Sequence, residues 1–293
     1  GTNPDVTQTT GLEVVNPLNH RSPSVTIADG SSTQVNPLLQ FGLGKKGAND
    51  KPGKDNNFRG LTVFNNTLYT TKGSGSNGVD TVFQVGPTGS FANGAVLSNT
   101  AITILPGFNT LSEKTNEKTN PNGTVHPFGL WFANANTLFV ADEGDGSTEG
   151  STGKITQYAG LEQWSYSSTN STWTLVATYQ GGLNINTATV TATVTNPSPA
   201  AGDPATWNVY TDGLRNLTGE TNANGSVTIY ATTSTTSNDG THDLGSDPNQ
   251  IVTINIPATQ LALTAASGTP TQRFTTLQQA PAGVRLGGVL IVK

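Results

Sequence analysis

Phe128-Gly-Leu-Trp-Phe-Ala-Asn-Ala-Asn-Thr-Leu-Phe-Val-Ala141 is the stretch on which the fold turns. Apolar residues flank a short break rich in Asn, so it reads as two strands joined by a tight turn. A second copy is Arg59-Gly-Leu-Thr-Val-Phe-Asn-Asn-Thr-Leu-Tyr69. A looser third copy is Asp212-Gly-Leu-Arg-Asn-Leu-Thr-Gly219, continued by Asn224-Gly-Ser-Val-Thr-Ile-Tyr-Ala231. Each copy opens with Gly-Leu, turns at Asn, and returns as a strand. Further strands are expected at residues 81–85, 101–105, 154–158, 173–178 and 251–256, where apolar runs are closed by Gly, Asn or Pro. Residues 282–293, with Gly288-Val-Leu-Ile-Val292, open what reads as a closing strand. No window of twelve or more residues shows a helical period.

Repetition of this kind implies units that cannot bury both faces alone and must stack. The predicted fold is an all-β single domain, a β-propeller of long, loop-rich blades, with blade units at 58–126, 127–211 and 212–281. A sandwich or a solenoid is the structural alternative. The units run to about 70 to 85 residues, against roughly 40 to 50 in ordinary blades. The loops at 106–121, 184–207 and 234–248 account for the excess. Three units leave the ring incomplete. Residues 1–57 are therefore expected to supply outer strands (25–28 and 35–41) or a closing blade with 282–293; otherwise a missing upstream segment completes it. The recurrent glycines fit positions where innermost strands crowd a central channel.

Composition narrows function by exclusion. Only 11% of the 293 residues are charged, against roughly 25% in ordinary soluble proteins. The formal net charge of −5 gives no field that favours nucleic acid or an anionic surface. Lys45, Lys46, Lys51 and Lys54 lie among Gly, Asn and Pro and read as a solvated loop. No apolar run is long enough for a membrane span. Cys and Met are both absent, which removes disulfides, thiolate chemistry and Cys-based zinc sites. Without Met, Gly1 is expected to be a processed or trimmed end. Sequons at Asn65, Asn122, Asn170, Asn216 and Asn224 make the chain a glycoprotein candidate. Together these features point to an extracellular, secreted protein.

Three stretches carry a resemblance: residues 53–78, Pro127 to Gly146, and Asp212 to Gly219. With Gly245-Ser-Asp-Pro-Asn-Gln-Ile-Val252 and Arg273-Phe-Thr-Thr-Leu277, the chain over roughly 40–290 resembles a family of secreted, propeller-like microbial proteins. The resemblance implies a propeller fold, export, and a further strand-rich segment upstream of Gly1. It implies no activity. Val284-Arg-Leu-Gly-Gly-Val289 departs from the family's usual Arg-Gly-Val ending, which bears on the register of the closing strand.

Few residues carry recognisable chemistry. Gly73-Ser-Gly-Ser-Asn-Gly78 has the dinucleotide spacing, but an expected strand rather than a helix follows it, so it reads as a flexible hairpin. Asp142, Glu143 and Asp145, with Glu149 nearby, are the densest acidic cluster and would suit calcium, which takes oxygen ligands. The alternative there is a solvated turn, with no cofactor at all. The acidic loop 239–247 around His242 is a weaker case. His20, His126 and His242 are far apart in sequence. His126, Arg59 and Arg215 lie beside Gly-Leu strands and would clamp an anionic ligand or else bridge blades. The tryptophans 131, 164, 173 and 207 would stack on sugars if exposed and otherwise fill gaps.

Three functions follow. The leading expectation is a secreted binding or structural module for a glycan, cell-envelope or matrix ligand. The rival is an extracellular hydrolase or lyase using His126, Arg215, Asp142 and Glu143 at the channel. The third is assembly, with another copy of the chain or the upstream segment added at an open strand edge. No partner nucleic acid and no membrane span is expected.

Overall fold

In a computed structural model the chain is all-β, with antiparallel strands and, among the described residues, a single four-residue helix. The structure describes residues 58–73, 79–91, 102–111, 125–146, 158–185, 189–195, 204–237, 247–266 and 268–291, and the backbone of 12–13, 33–36, 40–41 and 100–101. The strands are β1 (Leu12–Glu13), β2 (Thr33–Asn36), β3 (Gln40–Phe41), β4 (Phe58–Phe64), β5 (Thr67–Lys72), β6 (Thr81–Val85), β7 (Thr100–Ile104), β8 (Pro127–Asn134), β9 (Thr137–Asp142), β10 (Gly160–Ser167), β11 (Thr172–Tyr179), β12 (Ala192–Thr195), β13 (Thr206–Thr221), β14 (Val227–Ser237) and β15 (Gln250–Ile256), then helix α1 (Ala258–Leu261) and β16 (Thr275–Gln279). They form sheets ordered β2-β7-β6-β5-β4, β11-β10-β9-β8 and β12-β13-β14-β15-β16, with a small β1-β3 pair. The chain divides into two compact units, residues 1–127 with 168–173, and residues 128–167 with 174–293.

The first unit is organised by the β4–β5 hairpin. Its two turn residues, Asn65 and Asn66, have φ of 45° and 54°. Two successive positive φ values match the twist of a two-residue hairpin, and Asn tolerates them better than most residues. β5 is buried along its whole length, as expected of a strand covered on both faces. Leu68, Phe83, Val85 and Ile102 form the core, with Phe58 set edge-on to Phe83 at 6.0 Å and 74°.

In the second unit, β9 is likewise buried throughout. One core joins Phe139, Leu161 and Tyr179 to Leu214, Ile229 and Ile254, so the β8–β11 sheet packs on the β12–β16 sheet. Trp131 stacks on Phe139 at 6.1 Å. Two of the recurrent glycines make this packing close: a Cβ at Gly129 would stand 2.5 Å from the Arg215 carbonyl oxygen, and one at Gly213 only 2.3 Å from that of Asp142.

Two expectations are overturned, the 184–207 loop and the closing strand. The strand expected at residues 154–158 lies outside the described residues except for Tyr158, which is in a turn; the strand paired with β9 is β10. Glu162 and Gln163 interrupt its apolar alternation, yet both are buried and bonded: Trp164 Nε1 donates to Glu162 at 2.8 Å, and the Tyr179 hydroxyl donates to Gln163 at 2.7 Å. The loop expected over 184–207 contains β12, and β13 begins at Thr206, so the unit boundary drawn at 211/212 falls inside a strand. β2, which takes in residues 35–36, is an outer strand of its sheet, paired with β7. The closing strand at 282–293 is not formed among residues 282–291. A turn from Pro281 to Val284 ends the sheet after β16, and the Asn249 side chain holds Leu286 through both N–H and C=O. Leu290 is 81% exposed.

Candidate functional site

The acidic cluster sits where β9 ends. Asp212 and Arg215, which meet it, lie in two register shifts of β13; bulges re-aim side chains in this way. Arg215 Nε lies 3.0 Å from Glu143 Oε2, and its guanidinium lies over the Phe128 ring at 5.6 Å. Asp142 Oδ1 accepts the Gly144 N–H at 2.9 Å, and Asp212 Oδ2 accepts the Gly146 N–H at 2.8 Å. The Ser234 hydroxyl donates to the Glu143 carbonyl. Three of the four groups expected for channel chemistry, Asp142, Glu143 and Arg215, therefore share the second unit and are held by protein donors and acceptors.

His126 lies in the first unit. Its Nδ1 is 3.3 Å from the Gly73 carbonyl oxygen and 3.8 Å from Asp80 Oδ2. Arg59 is exposed on β4. For calcium, Asp142, Glu143 and Asp145 are close in sequence, but among the described residues no three His, Asp or Glu side chains are grouped so as to hold a metal ion. Lys45, Lys46, Lys51, Lys54, His20, Glu149, His242 and Ser74 to Gly78 lie outside the described residues. The tryptophans mostly pack: Trp164 and Trp173 are buried, and Trp207 Nε1 donates to Asp247 at 2.9 Å.

Glu162 is the electrostatic surprise. The β9–β10 register pairs it with Val140 and pairs Asp142 with Gly160, so Glu162 and Asp142 share a face two residues apart. Burial raises the Glu162 carboxyl well above its usual range, and the neighbouring Asp142 charge raises it further, against the lowering effect of Trp164. Its Oε1 is buried without a hydrogen-bond partner. Above the ordinary value of 4.5 the unfolded chain releases this proton while the folded chain keeps it, so stability falls with rising pH until the folded group ionises. Glu162→Gln removes that loss. Its stability should gain on the parent as pH rises above about 4.5, by up to about 1.4 kcal/mol per pH unit, with the melting midpoint rising accordingly. Parallel thermal melts across pH check this; a gap independent of pH contradicts it.

A second feature escaped sequence reading. A groove of about 520 Å³ lies in the second unit, lined by Tyr158, Leu175 to Thr178, Gln180, Ala266, Gly268, Thr269 and Pro270. Its volume falls within the ~300–1,000 Å³ of typical ligand sites. No charged side chain is among these lining residues. Hydroxyls of Tyr158, Thr178 and Thr269 and the Gln180 amide supply donors and acceptors, while Leu175 and Pro270 supply apolar faces. Gln180 is braced by donating to the Ala159 carbonyl at 2.8 Å.

Among the described residues no helix is long and apolar enough to cross a membrane. Compared with known proteins, the chain matches no family model, no curated protein and no solved structure.

Proposed function

We propose that the chain is an extracellular binding module of propeller type, that its three large sheets are blades, and that the groove beside β11 receives a neutral glycan. The groove's lining carries this reading. A sugar offers hydroxyls that give and accept hydrogen bonds and ring faces of C–H groups. A tyrosine, an amide, two threonines and a proline match both, and the uncharged lining favours a neutral ligand over an anionic one. Ionic clamping by Arg215 fits less well, because Glu143 already neutralises it at 3.0 Å. The order of four or five successive antiparallel strands in each large sheet supports the blade reading.

The test is migration through native gels cast with neutral or anionic polysaccharides. Retardation by a neutral polymer, with Tyr158→Ala binding about tenfold more weakly at an unchanged melting midpoint, is the expected outcome. A Tyr158→Ala variant that migrates like the parent, or retardation by polyanions alone, would overturn it.

A further inference from the structure

The first unit buries a complete ion pair. Lys72 ends β5, Asp80 immediately precedes β6, and the strand register pairs Lys72 with Thr81. Both side chains are fully buried, and Lys72 Nζ donates directly to Asp80 Oδ1. The other carboxylate oxygen, Oδ2, faces His126 Nδ1 at 3.8 Å. Since the Gly73 carbonyl oxygen beside Nδ1 can only accept, Nδ1 carries the hydrogen.

We propose that Lys72 and Asp80 are a self-modifying pair that condenses into an intramolecular amide joining Nζ to Cγ, with His126 relaying the proton. Amines and carboxylates do not condense readily in water, where both are hydrated and meet seldom. Here they are held in contact, and fixed contact of this kind gives effective concentrations of about 10⁵–10⁸ M. The buried ion pair also carries a desolvation penalty that a neutral amide does not.

The step balances without an added reactant. One proton passes from the ammonium to the carboxylate, leaving an amine and a carboxylic acid. The nitrogen lone pair attacks Cγ. That proton comes to rest on Oδ2, which leaves as water by taking the Nδ1 hydrogen of the protonated His126 imidazolium; the neutral imidazole so formed takes up at Nδ1 the proton released from nitrogen. The product is one amide and one water. With no cysteine in the chain, no disulfide is available to tie these strands.

The test is the intact mass of the purified full chain after prolonged incubation at neutral pH. The expected mass is lighter than that of the sequence by one water. Trypsin should then fail to cut after Lys72, and fragmentation should place the link between Lys72 and Asp80. Lys72→Met should keep its full sequence mass, and His126→Gln should form the link more slowly. Three results would overturn the proposal: full mass with normal cleavage after Lys72, loss of water in Lys72→Met as well (a cyclised aspartate), or an undiminished rate in His126→Gln, which removes the relay.

Discussion

Gly213→Ala will lower the stability of the second unit by about 1–3 kcal/mol or more, a shift of roughly 2–4 °C in melting midpoint per kcal/mol. The new Cβ would lie 2.3 Å from the Asp142 carbonyl oxygen and 2.6 Å from the Glu143 carbonyl carbon. These are backbone atoms, so no side chain can swing aside, and Asp142 is already fixed by its ladder with Gly160. Gly129→Ala should behave similarly, because its Cβ would meet the Arg215 backbone at 2.5 Å and Leu217 N at 2.9 Å. Gly287→Ala is the control, with nothing within 4 Å of its Cβ. Thermal melts of the three variants decide the matter. Equal midpoints for Gly213→Ala and Gly287→Ala would show that the two sheets do not approach as described.

Asp80→Ala should be the most damaging single change in the first unit. It leaves Lys72 buried with its main partner removed, and stranding a buried charge in this way removes about 3–5 kcal/mol. Lys72→Met alone should also destabilise, by leaving the Asp80 carboxylate without its cation. Against the parent before any link has formed, the double variant Lys72→Met, Asp80→Leu should recover much of the loss, because apolar replacements of similar size often do as well as a buried ion pair. Denaturant unfolding of the single and double variants gives the coupling energy. Additive losses would mean that the two side chains do not share one buried site.

The parts of this fold readable in sequence are those with local causes. Asn65-Asn66 announced its hairpin because only a few residue types accept two positive φ values in succession. β9 was readable because its apolar run is continuous and bounded by turns. β10 was hidden because Glu162 and Gln163 break the pattern, and their partners, Trp164 and Tyr179, are recognisable only once the sheet has formed. β13 was cut short at 212 because two irregularities interrupt its alternation.

The candidate sites divide in the same way. Asp142 and Glu143 stood out as a local cluster, but their bonding to Gly144 and Arg215 depends on how β9 meets β13. Lys72 and Asp80 flank a glycine-rich stretch, and only the β5–β6 register brings them together. The groove joins Leu175 to Thr269, residues too distant for any sequence pattern to connect.

The most direct test of glycan binding in the groove is backbone chemical-shift mapping of the isotope-labelled chain titrated with a neutral oligosaccharide that retards it in gels. Shifts that saturate and cluster at Tyr158, Leu175 to Thr178, Gln180, Ala266 and Gly268 to Pro270 are the expected result. Shifts centred instead on Asp142, Glu143 and Arg215, or on His126, would contradict it and place the ligand at the charged residues.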